Sequence, residues 1–191
     1  MAVKKSLVIL LHEIYGVNNH MKYYEEIFCD AGFDVLIPNL LGRNPFDYNH
    51  EKEAYTHFMA EVGFEKSEWM VDQIIREQKL VYKNIYIVGF SIGATLAWLC
   101  SEKSVNGVIA YYGSRIRQYV HINPTIPTAV YIAKQEKSFD ARKTFEQLHT
   151  KKQVYARLIE GHHGFMNPFD KNFDRKKATE LINESLTFLH R

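Results

Sequence analysis

The segment Gly89-Phe90-Ser91-Ile92-Gly93 sets one hydroxyl between two glycines, directly after the apolar run Ile85-Tyr86-Ile87-Val88 and before the helical stretch Ala94-Thr95-Leu96-Ala97-Trp98-Leu99-Cys100. Gly-x-Ser-x-Gly between a strand and a helix is the pattern of a nucleophile elbow. Such a turn is so sharp that its central residue is held in a strained backbone, with its side chain above the sheet. Small residues two positions before and two after it are then a steric requirement. The pattern alone also fits an ordinary glycine- and serine-containing turn, and it is the setting that points to chemistry at Ser91. A serine hydroxyl is a poor nucleophile at neutral pH. It needs a base to take its proton, an acid to orient that base, and donors for an oxyanion.

The stretch Ile159-Glu160-Gly161-His162-His163-Gly164-Phe165 places two histidines after the last apolar run, C-terminal to the serine. This fits the chain order Ser, acid, His. His163 is favoured as the base because Gly164 leaves room beside its imidazole, with His162 as the alternative and a plain surface loop or an adventitious metal pair as the competing reading. The acid should follow Thr128–Ala133, where Glu136 and Asp140 are available. Glu136 is nearer to the run. Asp140 also suits a helix N-cap, because a short carboxylate accepts from free backbone N–H groups there. Either could hold the imidazole tautomer and stabilise an imidazolium.

The N–H of Ile92 opens a helix just after the serine and is the first expected oxyanion donor. A second is expected from Leu11-His12-Glu13-Ile14-Tyr15-Gly16, most directly the N–H of Ile14. His12-Glu13 could open a zinc-binding His-Glu-x-x-His motif, but Gly16 stands where the second histidine must be. No metal and no cofactor is expected.

These groups can meet only if the elements carrying them end on one edge. Val3–Leu11 and Phe33–Pro38 read as buried parallel strands joined by a helix over 20–31 that Gly32 terminates. A long helical segment over about 51–80 follows, then strand Ile85–Val88, helix Ile92–Ser101 and strand Gly107–Tyr112. Strand Thr128–Ala133, a helix over about 140–148, strand Val154–Ile159 and a helix over about 175–189 complete the alternation. The expected fold is α/β, a mostly parallel sheet of about six strands with helices on both faces. Right-handed crossovers bring the loops after the strands to one edge. The segment 39–80 carries Phe46, Tyr48, Tyr55, His57, Phe58, Phe64 and Trp69, which either wall a pocket or face the core of amphipathic helices.

Composition narrows the classes further. With 191 residues, 46% hydrophobic and 24% charged, the chain suits one domain over 1–191 with one core. The net charge of +2 and the scattered Lys and Arg argue against a nucleic-acid partner. The apolar runs are too short to cross a bilayer, and no cleavage site follows Lys4-Lys5, so no membrane association and no secretory signal is expected. Cys29 and Cys100 lie in expected helices with no paired spacing, consistent with two buried thiols in a cytoplasmic protein, monomer or homodimer.

With these residues in place, the chain resembles the dienelactone hydrolase family of α/β-hydrolases over nearly its whole length. The resemblance rests on Leu11–Asn18, Ala31–Leu40, the elbow, Ala110-Tyr111-Tyr112-Gly113, and Gly161–Phe165. It implies an α/β-hydrolase fold and acyl transfer on a small ester or lactone. It also implies that Glu13 contacts the nucleophile region, that the N–H of Ile14 helps bind the oxyanion, and that His163 is the base. Three positions depart from the family pattern. Ser91 stands where Cys is usual, Glu136 where Asp is usual in Ala133-Lys134-Gln135-Glu136, and Asn167-Pro168 where a substrate-binding Arg is usual. An anion at Glu13 would oppose a developing oxyanion. Glu13 must therefore be paired, protonated or displaced, and Arg115 or Arg43 is an available partner for it or for an anionic substrate. The expected activity is a serine hydrolase working through an acyl-enzyme. The competing readings are a non-catalytic ligand-binding module of the same fold, or a thioesterase or peptidase using the same residues.

Overall fold

The computed structural model describes residues 6–190. Six strands form one sheet in the order β2-β1-β3-β4-β5-β6: β1 (Leu7–Leu11), β2 (Asp34–Leu36), β3 (Ile85–Phe90), β4 (Gly107–Tyr111), β5 (Thr128–Ala133) and β6 (Val154–Ile159). Every neighbouring pair is parallel. The central strands read as unbroken apolar runs because both of their faces are covered. Along β1, Val8 and Leu10 pack on one side with helices α1 (Asn19–Asp30) and α6 (Arg175–Leu189). Leu7, Ile9 and Leu11 pack on the other with α3 (Gly63–Gln78) and α4 (Ile92–Leu99). Helix α5 (Ala141–Leu148) joins that second face beside Trp98 of α4.

This strand order carries the site. The chain leaves β1 for β2 on one side and later enters β3 on the other, so the loops after β1 and β3 diverge and open a crevice at the carboxyl edge. Side-chain caps fix the helices beside it. Asn18 accepts from the N–H of His20, Asp140 from that of Lys143 and Asp174 from that of Lys177, at 3.0–3.1 Å. No helix among the described residues is long and apolar enough to cross a membrane.

The Val3–Lys5 part of the expected first strand lies outside the described residues, within which the strand runs from Leu7. Three expectations are corrected. Strand β2 is short and half-buried, because it is an edge strand with only β1 beside it. Cys29 lies off the buried stripe of α1 formed by His20, Met21, Tyr24 and Phe28, and is exposed, whereas Cys100 is buried. The helix expected over 51–80 is broken into α2 (Glu51–His57), a π-helical turn over Phe58–Val62, and α3. Its buried positions explain the break. Ala54, Phe58 and Val62 form one i, i+4 row, and Ser67, Val71 and Ile75 form another that is one residue out of phase with it. Gly63, at φ +70°, turns the chain between the two rows.

The β3–α4 turn sits hard against β1. A Cβ on Gly93 would lie 2.2 Å from the carbonyl oxygen of Leu11, and one on Gly89 would lie 2.1 Å from that of Gly93. Both contacts are with backbone, which cannot swing aside. Gly93→Ala is expected to cost about 3 kcal/mol or more in urea denaturation, and an unchanged midpoint would contradict this packing.

Candidate active site

Ser91 joins β3 to α4 at φ 55° and ψ −113°, a left-handed conformation costly for a residue with a side chain. Its N–H donates to Tyr111 O at the end of β4 (3.0 Å), and its carbonyl accepts from the N–H of Thr95 (3.2 Å). Thus held, its Oγ lies 2.9 Å from His163 Nε2, and His163 Nδ1 lies 2.8 Å from Glu136 Oε1. An ionised carboxylate only accepts, so Nδ1 carries the imidazole proton and Nε2 is free to accept from the serine hydroxyl. The His163 loop is fastened in turn: Asn172 Nδ2 donates to His163 O (2.9 Å), and the N–H of Gln135 donates to Gly161 O (3.0 Å). Gly164 adopts φ +88°, and a Cβ there would meet the Asp170 carboxyl at 2.8 Å. The turn after His163 therefore needs glycine for its backbone as well as for space.

The open alternatives separate in the structure. Glu136, with its side chain 5% exposed, is the carboxylate on the imidazole, whereas Asp140 caps α5. His162 is exposed at the rim of the cavity. Ile92 is the first residue of α4, so its N–H has no intrahelical acceptor. Among the described residues the N–H of Ile14 has no hydrogen-bond acceptor either, and both residues line the cavity. His12 is structural: it is wholly buried, its Nε2 accepts from the N–H of Leu40 (3.1 Å) and its Nδ1 lies 2.7 Å from Glu13 O. Among the described residues no three His, Cys, Asp or Glu side chains are grouped to hold a metal ion.

Glu13 is paired, but not by arginine. Its Oε1 accepts from the Tyr112 hydroxyl (3.1 Å) and its Oε2 from Asn167 Nδ2 (2.9 Å), with His20 Nδ1 at 3.4 Å. Arg43 instead stacks on Phe46, 3.8 Å from the ring centre, and Arg115 donates to the Tyr55 hydroxyl. Tyr112, Asn167 and His20 gather on Glu13, a role that sequence reasoning gave to none of them, and Tyr48, named there only among the aromatics of the 39–80 segment, bonds to Asn167. A buried neutral donor has no spacing rule to reveal it, and Asn167 was visible only as the position where an arginine was missing.

The cavity over Ser91 has a volume of about 550 Å³, within the range of small-ligand sites. Tyr55, Met59 and Phe64 of the 39–80 segment form an apolar part of its wall together with Ile14 and Ile92, and Arg115, Arg117 and Lys137 also line it, Arg115 donating to the Tyr55 hydroxyl. Of the aromatics in that segment, Phe58 is fully buried in the core and Trp69 is exposed. The segment thus contributes both a wall and a core.

The whole chain, residues 1–191, matches the model of the "Dienelactone hydrolase family". An uncharacterized protein of Bacillus subtilis (strain 168), YczH, is 41% identical over 177 residues, covering 90% of this chain and 86% of that protein. A putative carboxymethylenebutenolidase of Saccharolobus solfataricus is 23% identical over 230 residues, covering 98% of this chain and 90% of that one. A putative dienelactone hydrolase from Klebsiella pneumoniae superposes with a TM-score of 0.82 at 15% identity, covering all of this chain and 89% of that chain. That last likeness is one of fold.

Burial lowers and nearby carboxylates raise the pKa of both His12 and His163, but the balance differs between them. Burial pushes His12 down to about 4, so it stays neutral. Burial also opposes charge on His163, but the hydrogen bond and charge of Glu136, with Glu13 and Asp170 beyond, outweigh it and hold this imidazole above its ordinary value. In an NMR titration the His163 ring is expected to titrate above about 6.5 and to move down in Glu136→Gln, while His12 stays neutral to about pH 4. A His163 midpoint at or below the ordinary value would contradict the arrangement.

Proposed function

The chain belongs to the dienelactone hydrolase family, and we propose that it is a serine hydrolase that cleaves a small carboxylic ester or lactone through an acyl-enzyme. The observation that carries this reading is the line from Ser91 Oγ to His163 Nε2 to Glu136, at 2.9 and 2.8 Å, on a strained elbow open to a cavity. The first is the distance of a nucleophile from a base ready to take its proton, and the second that of a carboxylate orienting that base.

In this mechanism Ser91 Oγ attacks the ester carbonyl carbon as His163 Nε2 takes the hydroxyl proton. The carbonyl oxygen becomes an oxyanion that the N–H groups of Ile92 and Ile14 bind. The C–O bond to the alcohol then breaks, and the imidazolium returns the proton to the leaving oxygen. Water, deprotonated by the same imidazole, attacks the acyl carbon; the bond from that carbon to Ser91 Oγ breaks, the imidazolium returns the proton to Oγ, and the acid is released. Glu136 keeps the proton on Nδ1 and balances the charge that His163 gains in each half-reaction. The Tyr55, Met59 and Phe64 wall would receive the apolar part of the substrate. The same residues could serve a thioester or amide, and a substrate panel separates these.

Covalent labelling by a fluorophosphonate probe, read by intact mass, tests the reading directly. One adduct is expected on the wild type, lost in Ser91→Ala and in His163→Ala. A folded wild type that takes no label, where a control serine hydrolase does, would favour a binding module instead. On a small ester that the wild type turns over, Ser91→Ala and His163→Ala are each expected to lower kcat by on the order of 10⁴-fold. The two acidic candidates should differ in kind. Glu136→Gln is expected to reduce kcat severely, while Asp140→Ala should cost about 1 kcal/mol of stability through the lost cap and leave kcat near that of the wild type.

A further inference from the structure

Glu13 is a carboxylate only 5% exposed, beside a proposed oxyanion site that its charge would oppose. None of its hydrogen bonds goes to Ser91. Both oxygens are engaged instead by neutral donors from distant parts of the chain, Tyr112 after β4 and Asn167 after β6. Asn167 is itself wholly buried and braced, giving a second hydrogen bond to the Tyr48 hydroxyl (3.0 Å) and accepting one from the N–H of Phe169 (2.9 Å). On a third side His20 of α1 is wholly buried between Phe90 and Tyr24, with its Nδ1 turned to the carboxylate at 3.4 Å and neither ring nitrogen in a hydrogen bond.

Tyr112 is the second unusual feature. It is a non-glycine residue at φ +45°, strained as Ser91 is, and its ring is fully buried. Its hydroxyl lies on Glu13 while its ring centre lies 4.8 Å from that of His163. Backbone strain spent on a buried tyrosine at a site calls for a role there. Placing the phenol between a carboxylate and the base is the role this geometry supports.

We propose that Glu13 is a positioning residue: its buried carboxylate fastens the loop of Ile14 to the loop of His163, and sets a second negative charge behind the imidazole across the ring of Tyr112. The inference rests on the serine-hydrolase reading. Glu13 then works on the base rather than on the nucleophile. Asn167 and Tyr112 hold its charge on the His163 side, where it favours the imidazolium that forms in each step. The groups facing His163 are Glu136 from the loop after β5, Tyr112, Glu13, and Asp170 of its own loop, with His162 adjacent in the chain. Those around Glu13 are His20, His163, Tyr112, Asn167, His12, and the phenols of Tyr24, Tyr15 and Tyr48. Charge from Glu13 is among the influences that raise His163.

The test is the rate of fluorophosphonate labelling against pH, for the wild type, Glu13→Gln, Asn167→Ala and Tyr112→Phe. The acid limb reports the free base. Removing a nearby negative charge destabilises the imidazolium, so the neutral base persists to lower pH. In Glu13→Gln the limb is expected to move down by about half to one pH unit, with a lower plateau. Asn167→Ala keeps the charge and loosens the loops, so its plateau should fall by about tenfold with the limb in place. A limb unmoved in Glu13→Gln, or moved equally in Asn167→Ala, overturns the proposal. If Glu13→Gln does not fold, wild-type rates in both Asn167→Ala and Tyr112→Phe overturn it, because the carboxylate would then fasten nothing the reaction needs. A wild type that takes no label defeats the serine-hydrolase reading and this inference together, whereas a labelled wild type with an unmoved limb defeats this inference alone.

Discussion

The approach of the β3–α4 turn to the carboxyl end of β1 is the constraint on which the rest of the site depends. With no side chain at Gly93, the first turn of α4 rests on the carbonyl of Leu11, and with none at Gly89 the strand can fold back under its own helix. That contact brings the loop after β1, with Glu13 and Ile14, beside Ser91 and the N-terminus of α4. It also forces Ser91 into a left-handed backbone, which the Tyr111 and Thr95 backbone hydrogen bonds maintain. Strain at this one residue is borne by a core of six parallel strands covered on both faces. A hydroxyl on a more relaxed loop would not be held at hydrogen-bond distance from an imidazole 72 residues further along the chain.

Around that turn the protein buries more polar chemistry than its size requires. Burying a carboxylate is costly unless it is paired or hydrogen-bonded, and Glu13 and Glu136 find partners of different kinds. Glu136 has the imidazole of His163 as its partner, and Glu13 has neutral donors from Tyr112 and Asn167 with His20 close by. The result is one imidazole, His163, whose charge both carboxylates favour. His12, a few ångströms along the same loop, shows the opposite use of burial: with no carboxylate hydrogen-bonded to its ring, desolvation prevails and it serves as a neutral hydrogen-bonding pin. Environment, not residue type, thus divides these histidines into a titratable one and an inert one.

The 39–80 segment gives the cavity its individual shape. Two buried rows one residue out of phase cannot share a straight helix, and the π-helical turn with Gly63 resolves the mismatch. One consequence is that Phe58 packs inward while Tyr55, Met59 and Phe64 reach the cavity wall. The apolar side of the cavity therefore follows from a packing requirement of the helices beneath it.

Local sequence determined most of the strands, the chain order of serine, acid and histidine, and the cap at Asp140. Each of these depends on short-range rules: apolar runs that need cover on both faces, glycines at a turn, a carboxylate ahead of a helix. Strands β5 and β6 and helix α6 fall where those rules place them, and Asp140 caps α5 as its position before the helix suggests. The edge position of β2, the break in the 51–80 helix and the exposure of Cys29 were not legible, because each depends on what packs alongside. The choice between Glu136 and Asp140 at the imidazole, and between His163 and His162 at Ser91, was likewise made by the tertiary structure. The least legible feature was the partner set of Glu13. Tyr112, Asn167 and His20 come from three separate elements and carry no shared pattern, and only the closure of the sheet edge brings them to one carboxylate.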